Sequence, residues 1–441
     1  MKLIQVSVLV SLLLFVSLLE ADQGQIDYAQ IDRAQIDWAQ IDRAAQGLLE
    51  AGAAGLAMAL IGKEGPIRST ALGYADLEQK IPMTTGTLMN IASISKTVTA
   101  TSVMMLVEQG KLELDRDINH YLPFSVENPN HGSVPVTLRH LLTHSSSIVD
   151  REEIYFSDTS YHPGSDNPLL LGDFLKAYLG TDGAFYDPGN FAAYAPGTGG
   201  AYSNIAVGLA GYIVELVSGL PLNKFSAKHI FTPLGMDHSG WMLSEIETDQ
   251  HARLYEWDGE QHQAVEWYGL VTWPDGGLRT SVIELSRFYA AMMNKGSLEA
   301  SRIMQAETVD LMFTPQFAPG QVLAGMDDEE GHRQALIWNY GSTDFGREIL
   351  GHSGGDPGVA TFAYFYRETK PGETKLGEIG TGAILLVNTS SENDEFNLAF
   401  KGLIREMLKT ALDMGSLPAF TPASQSDEED PATAAVSSES N

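Results

Sequence analysis

The sequence contains no cysteine, which excludes disulfides, a thiol nucleophile and a lipid-modified N-terminal cysteine. Basic residues are also scarce, since 27 Lys and Arg stand against 57 Asp and Glu and give a formal net charge of −30. A surface with this charge repels phosphate backbones, which argues against a nucleic-acid partner. High salt in the native environment and a plain solubility requirement both account for the acidic excess.

A mostly apolar run without charged residues occurs at the N-terminus, over residues 6–19, after a single positive charge at Lys2. The small residue Ala21 is placed where a cleavage site would lie, so residues 1–22 are predicted to be a signal peptide. The alternative is an uncleaved anchor, although the run is slightly short for a full span of about 20 residues. Either reading predicts an exported protein, periplasmic or secreted, whose membrane contact is limited to this segment.

Three further regions follow along the chain. Residues 23–45 are predicted to be a spacer, because residues 25–44 are four tandem copies of a five-residue unit. A period of five matches neither a helix nor a strand, and an interaction arm is the alternative reading. Residues 416–441 are an acidic tail of small and polar residues that cannot bury enough surface to fold. Residues 46–415 therefore form the predicted folded domain.

Within this domain, strand-like segments occur near both ends and helical patterns occupy the middle. Turn residues separate the strand-like segments, and the last apolar pattern has helical spacing. The predicted strands cover residues 53–62, 67–74, 347–351, 359–366 and 381–388, and the closing helix covers residues 396–412. The pattern predicts one antiparallel sheet made from distant parts of the chain, which is an α+β architecture.

Ser93 and Lys96 form a Ser-x-x-Lys pattern at the start of a predicted helix that Gly110 ends. Residues three apart share a helix face, so the Ser93 hydroxyl and the Lys96 amine can be neighbours. A desolvated lysine can act as the base that a serine nucleophile needs, and the helix N-terminus stabilises an oxyanion. The pattern is short enough to occur by accident, and an N-capping serine beside an exposed lysine is the alternative.

Tyr202-Ser203-Asn204 precedes a second predicted helix, over residues 205–218. In an extended segment alternate residues face the same way, so Tyr202 and Asn204 can both point into one cleft. A tyrosine beside a lysine can relay protons, and an asparagine amide can bind a substrate amide or ester. The alternative is that Asn204 caps the helix while Tyr202 packs in the core.

His352-Ser353-Gly354-Gly355 follows one of the predicted strands. Glycines permit close approach of the backbone, and the N–H groups of Ser93 and Gly355 can together form an oxyanion hole. If His352 lines the pocket, substrate affinity is expected to change as it titrates between about pH 6 and 7. The alternative is a turn with an incidental histidine.

The three motifs, in this order and at these separations, resemble those of the serine β-lactamase-like family. This family includes class C β-lactamases, D,D-carboxypeptidases, D-aminopeptidases and related esterases. The resemblance runs from about residue 50 to about residue 412 and includes residues 73–76, 138–145 and 274–279. It implies an α/β (α+β) fold in which helices flank a central antiparallel sheet and an all-helical lobe adjoins it.

The resemblance also implies a role for each motif residue. It implies Ser93 as the nucleophile and Lys96 and Tyr202 as the proton-handling pair. The substrate-binding residues that it implies are Asn204, His352, Ser353 and Gly354. His352 stands where class C β-lactamases have a lysine, and this departure favours a peptidase or esterase over an efficient β-lactamase.

The expected function is that of a serine hydrolase that cleaves amide or ester bonds through an acyl-enzyme. D-amino-acid peptides, esters and, weakly, β-lactams are the expected substrates, and no metal or organic cofactor is expected. The alternative is a non-catalytic protein that binds peptide or cell wall in the same cleft.

Two other features of the sequence have a functional and a structural reading. Thr143-His144-Ser145 suggests a catalytic triad, and His140 and His144 have the spacing of metal ligands, but the resemblance places both histidines in a structural segment. Residues 155–202 are aromatic and polar, and they either shape the pocket or form a surface loop.

Overall fold

The computed structural model describes residues 38–318, 321, 323–325, 334–367 and 379–415. The predicted signal peptide, residues 23–37 of the predicted spacer and the predicted acidic tail lie outside the described residues. No single described helix is long and apolar enough to cross a membrane. One bent pair of helices, Asn204–Ser218 with Leu222–Leu234, meets the length and composition criteria for a membrane span when the two are taken together.

Strands and helices are numbered here along the described chain. The strands are β1 (Gly55–Gly62), β2 (Gly65–Asp76), β3 (Ile81–Pro82), β4 (Met89–Asn90), β5 (Tyr161–Pro163), β6 (Leu254–Trp257), β7 (His262–Val265), β8 (Tyr268–Leu270), β9 (Arg279–Thr280), β10 (Ser297–Leu298), β11 (Ser301–Arg302), β12 (Asn339–Ser342), β13 (Glu348–Asp356), β14 (Val359–Arg367), β15 (Ile379–Val387) and β16 (Thr389–Ser391). The helices are α1 (Trp38–Glu50), α2 (Ser95–Glu108), α3 (Leu138–Leu142), α4 (Glu152–Tyr155), α5 (Leu171–Leu179), α6 (Asn204–Ser218), α7 (Leu222–Ser226), α8 (Thr232–Leu234), α9 (Val282–Met293), α10 (Ala306–Phe313) and α11 (Asp394–Gly415).

The main sheet has seven antiparallel strands in the order β12-β13-β14-β15-β1-β2-β3. Strands from the two ends of the chain meet at its centre, where Leu56 of β1 lies opposite Val387 of β15. The predicted antiparallel sheet from distant segments is therefore confirmed, and the long middle of the chain is inserted between its two halves.

Both faces of this sheet are covered, because alternate residues of β1 enter two different cores. Leu56, Met58 and Leu60 pack in the core beneath α1 and α11. Ala57 and Ala59 pack in the larger core shared with α2, α6 and α9. A strand that is buried on both faces carries apolar residues almost without interruption, as β1 does.

Helix α2 runs through the larger core and is buried from Ser95 to Leu106. Its buried hydroxyl groups donate to carbonyl oxygens one turn earlier, as Thr97 does to Ile94 at 2.7 Å and Thr101 does to Thr97 at 2.7 Å. These hydrogen bonds satisfy polar groups that have no access to water. The helix is therefore central and lacks a solvent-exposed face along most of its length.

The middle of the chain also contains short strands that the sequence analysis did not predict. Strand β5 pairs with β8, β4 pairs with β9, and β6 joins β7 and β16 in a small sheet. Each of these strands has only two to four residues, which is too short to produce a recognisable alternation of apolar and polar residues.

Helix α1 begins at Trp38, so the predicted boundary between spacer and folded domain lies inside a helix. Ile41, Ala45 and Leu48 are its buried residues, and they pack beneath the main sheet. Isoleucines spaced by five do not lie on one face of a helix. Ile41, the last of them, shares a buried helix face with Ala45 and Leu48, which follow the repeats. The folded domain therefore includes the end of the repeat segment.

We expect Ile41→Ala to lower the free energy of unfolding by about 2–4 kcal/mol, because it removes a buried side chain and leaves a cavity. Urea denaturation followed by tryptophan fluorescence measures the change. Gln40→Ala is the control, because Gln40 is exposed in the same helix and its loss should change the value by less than about 0.5 kcal/mol. Equal effects of the two substitutions would contradict the packing of α1.

Candidate active site

Ser93 lies in a 3₁₀ turn, Ala92–Ile94, that leads directly into α2. Ala92 has φ +47°, in the left-handed region that residues with a side chain seldom adopt. Its N–H donates to Asn90 Oδ1 at 3.0 Å, which holds this conformation. The tight turn places the Ser93 hydroxyl at the start of the helix and beside a cleft that Ser93 lines.

Lys96 is fully buried one turn after Ser93, and its amine donates two hydrogen bonds. One goes to Ser93 Oγ at 2.8 Å and the other to the backbone carbonyl of Asp275 at 2.9 Å. The Lys96 amine also lies 5.0 Å from the centre of the Tyr202 ring. The structure therefore gives the Ser-x-x-Lys pattern the contact that its helical spacing predicts, and the alternative of an exposed lysine is wrong.

Tyr202 and Asn204 both reach the same cleft from the segment before α6. The Tyr202 hydroxyl donates to Ser93 Oγ at 2.9 Å, and Asn204 lines the cleft beside Ser93. The residue that caps α6 is Ser203, whose Oγ accepts from Ala206 N–H at 3.0 Å, so the alternative in which Asn204 caps the helix is wrong. The extended backbone of Ser203 points its neighbours to one side, as the sequence predicts.

Asp150 fixes the position of this segment, and the sequence analysis did not find it. Its buried carboxylate accepts from Ser203 Oγ at 2.7 Å, Asn204 N–H at 2.6 Å and Ile205 N–H at 3.1 Å. Burial raises the pKa of Asp150, while these three hydrogen bonds and the charge of Lys96 act in the opposite direction. A carboxylate at the N-terminus of α6 also suits the dipole of that helix.

His144 packs against the Tyr202 ring. Its ring lies 4.3 Å from the Tyr202 ring, and its Nδ1 accepts the Ser203 N–H at 3.2 Å. Burial, followed by the charges of Lys96 and His352, lowers the pKa of His144 well below its usual value. His144 is therefore a neutral residue that positions Tyr202, and the neighbouring Ser145 hydroxyl bonds to Thr143 instead. Among the described residues, no group of three or more Asp, Glu or His side chains is arranged to hold a metal ion.

Strand β13 forms the opposite wall and touches Ser93 through a glycine. A Cβ atom added at Gly354 would lie 2.5 Å from Thr361 Oγ1, 2.7 Å from Ile91 O and 2.9 Å from Ser93 N. A Cβ atom at Gly355 would meet nothing within 4 Å. Gly354 is therefore required for close approach of the strand to Ser93, and Gly355 lines the cleft through its backbone.

His352 and Ser353 are predicted to bind substrate, but neither side chain lines the cleft. The His352 side chain is buried, its Nδ1–H donates to Ser353 O at 2.6 Å, and its ring lies 6.4 Å from the Tyr202 ring. Burial and then the charge of Lys96 lower the pKa of His352 to about 3, so the expected titration between pH 6 and 7 is wrong. Ser353 lies opposite Phe362, whose side chain packs on the other face of the sheet.

Carboxyl groups and tyrosines line the rest of the cleft. Tyr155 OH donates to Asp275 Oδ1 at 3.0 Å, and Tyr161 OH donates to Asp356 Oδ1 at 2.7 Å. Burial raises the pKa of Asp275 to about 6 and that of Asp356 to about 7. The aromatic segment that begins at residue 155 therefore shapes the pocket, and Tyr155 and Tyr161 are its residues that line the cleft.

The two side chains in hydrogen-bond contact with the Ser93 hydroxyl are an amine and a phenol. Such a serine, beside strand β13 of an antiparallel sheet with helices on both faces, defines the serine β-lactamase-like class of protein. The chain belongs to this family of serine hydrolases, since the sequence profile described as Beta-lactamase matches residues 41–404.

Individual relatives agree with this assignment. Penicillin-binding protein 4* of Bacillus subtilis (strain 168) is 29% identical over 322 residues, which are 67% of this chain and 62% of that protein. Esterase EstB of Burkholderia gladioli is 32% identical over 198 residues, which are 43% of this chain and 48% of that protein. Each alignment thus spans less than two thirds of the relative's length.

A solved structure shows the same fold. The D-amino acid amidase from Ochrobactrum anthropi SV3 superposes with a TM-score of 0.61 at 24% identity, over 84% of this chain and 98% of the amidase. At this level of identity the likeness supports the architecture of the sheet and its helices.

We expect Gly354→Ala to slow fluorophosphonate labelling of Ser93 by at least about 100-fold, because the added methyl group displaces the backbone of Ser93. The rate of labelling by a fluorophosphonate probe measures this change. Gly355→Ala is the matched control, because its methyl group has free space and should leave the backbone of Ser93 in place. A labelling rate in Gly354→Ala equal to that in Gly355→Ala would contradict the close approach.

We expect His352 to remain neutral, with its proton on Nδ1, from about pH 5 to about pH 8, because its pKa is lowered by burial and by Lys96. Long-range ¹H–¹⁵N correlation spectra report both tautomer and charge, and His352→Gln assigns the signal. His238 is the internal control, because its hydrogen bond to Glu284 raises its pKa above the usual value. A His352 signal that titrates near pH 6.5 would reject this assignment.

Proposed function

We propose that the protein is a serine hydrolase that cleaves amide or ester bonds through an acyl-enzyme on Ser93. One observation carries this proposal: Ser93 Oγ is in hydrogen-bond contact with Lys96 Nζ at 2.8 Å and with Tyr202 OH at 2.9 Å. A serine hydroxyl becomes a useful nucleophile when a group beside it accepts its proton. Here two such groups adjoin it, and both are fixed by contacts of their own.

In the first step, Ser93 Oγ attacks the carbonyl carbon of the substrate and forms the new C–O bond. The Ser93 proton passes to the Lys96–Tyr202 pair, which accepts it in the form that has one proton fewer than an ammonium beside a phenol, namely a Tyr202 phenolate next to the Lys96 ammonium. The proton is returned from there to the leaving amine or alcohol as the bond to the leaving group breaks. Both acceptors are within a single hydrogen bond of Oγ, so the transfer needs no movement of the backbone.

The negative charge that develops on the substrate oxygen is assigned to the backbone N–H groups of Ser93 and Gly355. Both residues line the cleft, and the contact of Gly354 with Ser93 brings the two backbones together. The start of α2 adds its helix dipole at the same point. In the second step, water attacks the ester carbon on Ser93 and gives its proton to the same pair. The pair returns a proton to Ser93 Oγ as the C–Oγ bond breaks, and the acid is released.

The proposed substrates are D-amino-acid peptides and small esters, with β-lactams hydrolysed weakly. Two features support this range of substrates. Asn204 lines the cleft, where its amide can bind a substrate amide or ester, and His352 of the third motif is neutral. A neutral histidine buried behind the cleft gives no constant positive charge for a substrate carboxylate. The amidase and esterase relatives are consistent with this range.

We expect Ser93→Ala to abolish both fluorophosphonate labelling and turnover of nitrophenyl acetate. Lys96→Met and Tyr202→Phe should each lower kcat/KM by about 10²–10⁴-fold, because each removes one member of the pair that moves the proton. Tyr202→Phe keeps the aromatic ring that packs on His144, so the fall in kcat/KM in this variant measures the contribution of the hydroxyl group alone.

Ser145→Ala is the matched control, because Ser145 is a buried serine next to His144 and its hydroxyl bonds to Thr143. It should retain labelling and turnover. Substrate binding without Ser93-dependent turnover would instead support the non-catalytic alternative, and turnover that survives Ser93→Ala would overturn the proposed mechanism.

A further inference from the structure

The proposed reaction uses Ser93, Lys96 and Tyr202, and it leaves the two carboxyl groups of the cleft without a role. Asp356 is two residues beyond Gly354 in β13, so its side chain leaves the sheet on the face that carries Ser93. Asp356, Asp275 and Ser93 all line one cleft. The carboxyl groups are therefore placed where the remainder of an acyl donor would lie.

The charged side chains that line this cleft are all acidic. Two carboxyl groups and no Lys, Arg or His side chain occur among the described residues that line it. Lys96 is directed at Ser93, and Arg279 donates to the backbone carbonyls of Trp241, Gly277 and Tyr268. A substrate carboxylate would be repelled here, whereas a positively charged group would be attracted.

Tyrosines surround the carboxyl groups and strengthen the preference for a cation. The Tyr161 ring lies 5.3 Å from the Tyr268 ring and 5.9 Å from the Tyr155 ring. Aromatic rings beside a carboxylate bind protonated amines and quaternary ammonium groups. Asp275 is 1% exposed, and its carboxyl group interacts with the side chains of Tyr155 and Thr272. Asp356 is half-buried and is therefore the carboxyl group that a ligand in the cleft can contact.

We propose that Asp356, supported by Asp275 and by the tyrosines of the cleft, selects acyl donors whose acyl part carries a positively charged nitrogen. The inference rests on the proposed function and deepens it by naming the substrate class. An acyl group remains on Ser93 after the leaving group departs, so a charge on that part contacts the same carboxyl group in both steps. Asp356 acts here as a specificity residue.

The selectivity should depend on pH in a definite direction. Burial raises the pKa of Asp356 to about 7, and Tyr161, Tyr268, Asp275 and Lys96 are the groups that act on it next. Two further groups interact electrostatically with Asp356, namely Tyr155 and Arg279. Below about pH 7 the carboxyl group is protonated and neutral, so the attraction for a cation should appear as pH rises through this value.

The test compares two nitrophenyl esters of the same shape, one of γ-trimethylammonio-butyrate and one of its neutral tert-butyl isostere. The quaternary nitrogen keeps its charge at every pH, and the neutral ester corrects for the titration of the catalytic groups. For the wild-type protein we expect a kcat/KM ratio of about tenfold in favour of the cation near pH 8, corresponding to about 1.4 kcal/mol. The ratio should fall toward one near pH 6.

Asp356→Asn should bring the ratio close to one at every pH, because an asparagine retains an oxygen that accepts from Tyr161 but has no charge. Glu64→Gln is the matched control, since it removes one negative charge at the exposed turn between β1 and β2. Its ratio should equal that of the wild type, which separates the cleft from the general attraction of an acidic protein for cations.

The outcomes distinguish this inference from the proposed function. Neutral-ester turnover that depends on Ser93, combined with a wild-type ratio near one, overturns the inference alone. A ratio that persists in Asp356→Asn, or that also falls in Glu64→Gln, overturns the role of Asp356. Turnover of the neutral ester that does not require Ser93 overturns the proposed function itself. The wild-type pH series needs no variant, so the inference is testable even if Asp356→Asn fails to fold.

Discussion

The site depends on one buried amine. Lys96 has no access to water, and the hydrogen bonds that it donates go to the hydroxyl of Ser93 and to a backbone carbonyl at Asp275. Removing such a charge from water costs several kcal/mol unless its environment compensates, so the position of every neighbouring dipole matters. The face of the Tyr202 ring supplies a third contact. Three segments that are far apart in the sequence are thereby held around a single ion.

The same charge acts on the ionisation of the groups around it. Burial is the larger cause, and Lys96 the second, of the lowered pKa values of His144 and His352. For Asp275 and Asp356, burial raises the pKa while Lys96 opposes it. The site thus combines buried neutral imidazoles, which do not line the cleft, with cleft carboxyl groups whose pKa values are about 6 and about 7, close to neutral pH. A positive charge that is held in place leaves neighbouring bases neutral and favours ionisation of neighbouring acids.

Contacts between residues that are close in the sequence could be predicted from the sequence alone. The three-residue spacing of Ser93 and Lys96 and the alternation of Tyr202 and Asn204 both follow from backbone geometry. Asp150 and Asp356 have no such signal, because their roles come from contacts with residues more than fifty positions away or across the cleft. The burial of His352 is set by tertiary packing, so the unperturbed pKa of a histidine was a poor guide to its charge.

The pairing of β1 with β15 has a further consequence for how the protein is made. The turn that carries Ser93 leaves the ribosome long before the strands that complete the sheet, since Leu56 of β1 must wait for Val387 of β15. Closing so long a loop is slow, and β1 lacks its β15 neighbour while the intervening segment is made and must stay soluble. A nascent chain therefore holds Ser93 in an incomplete pocket until β13 and β15 have been made.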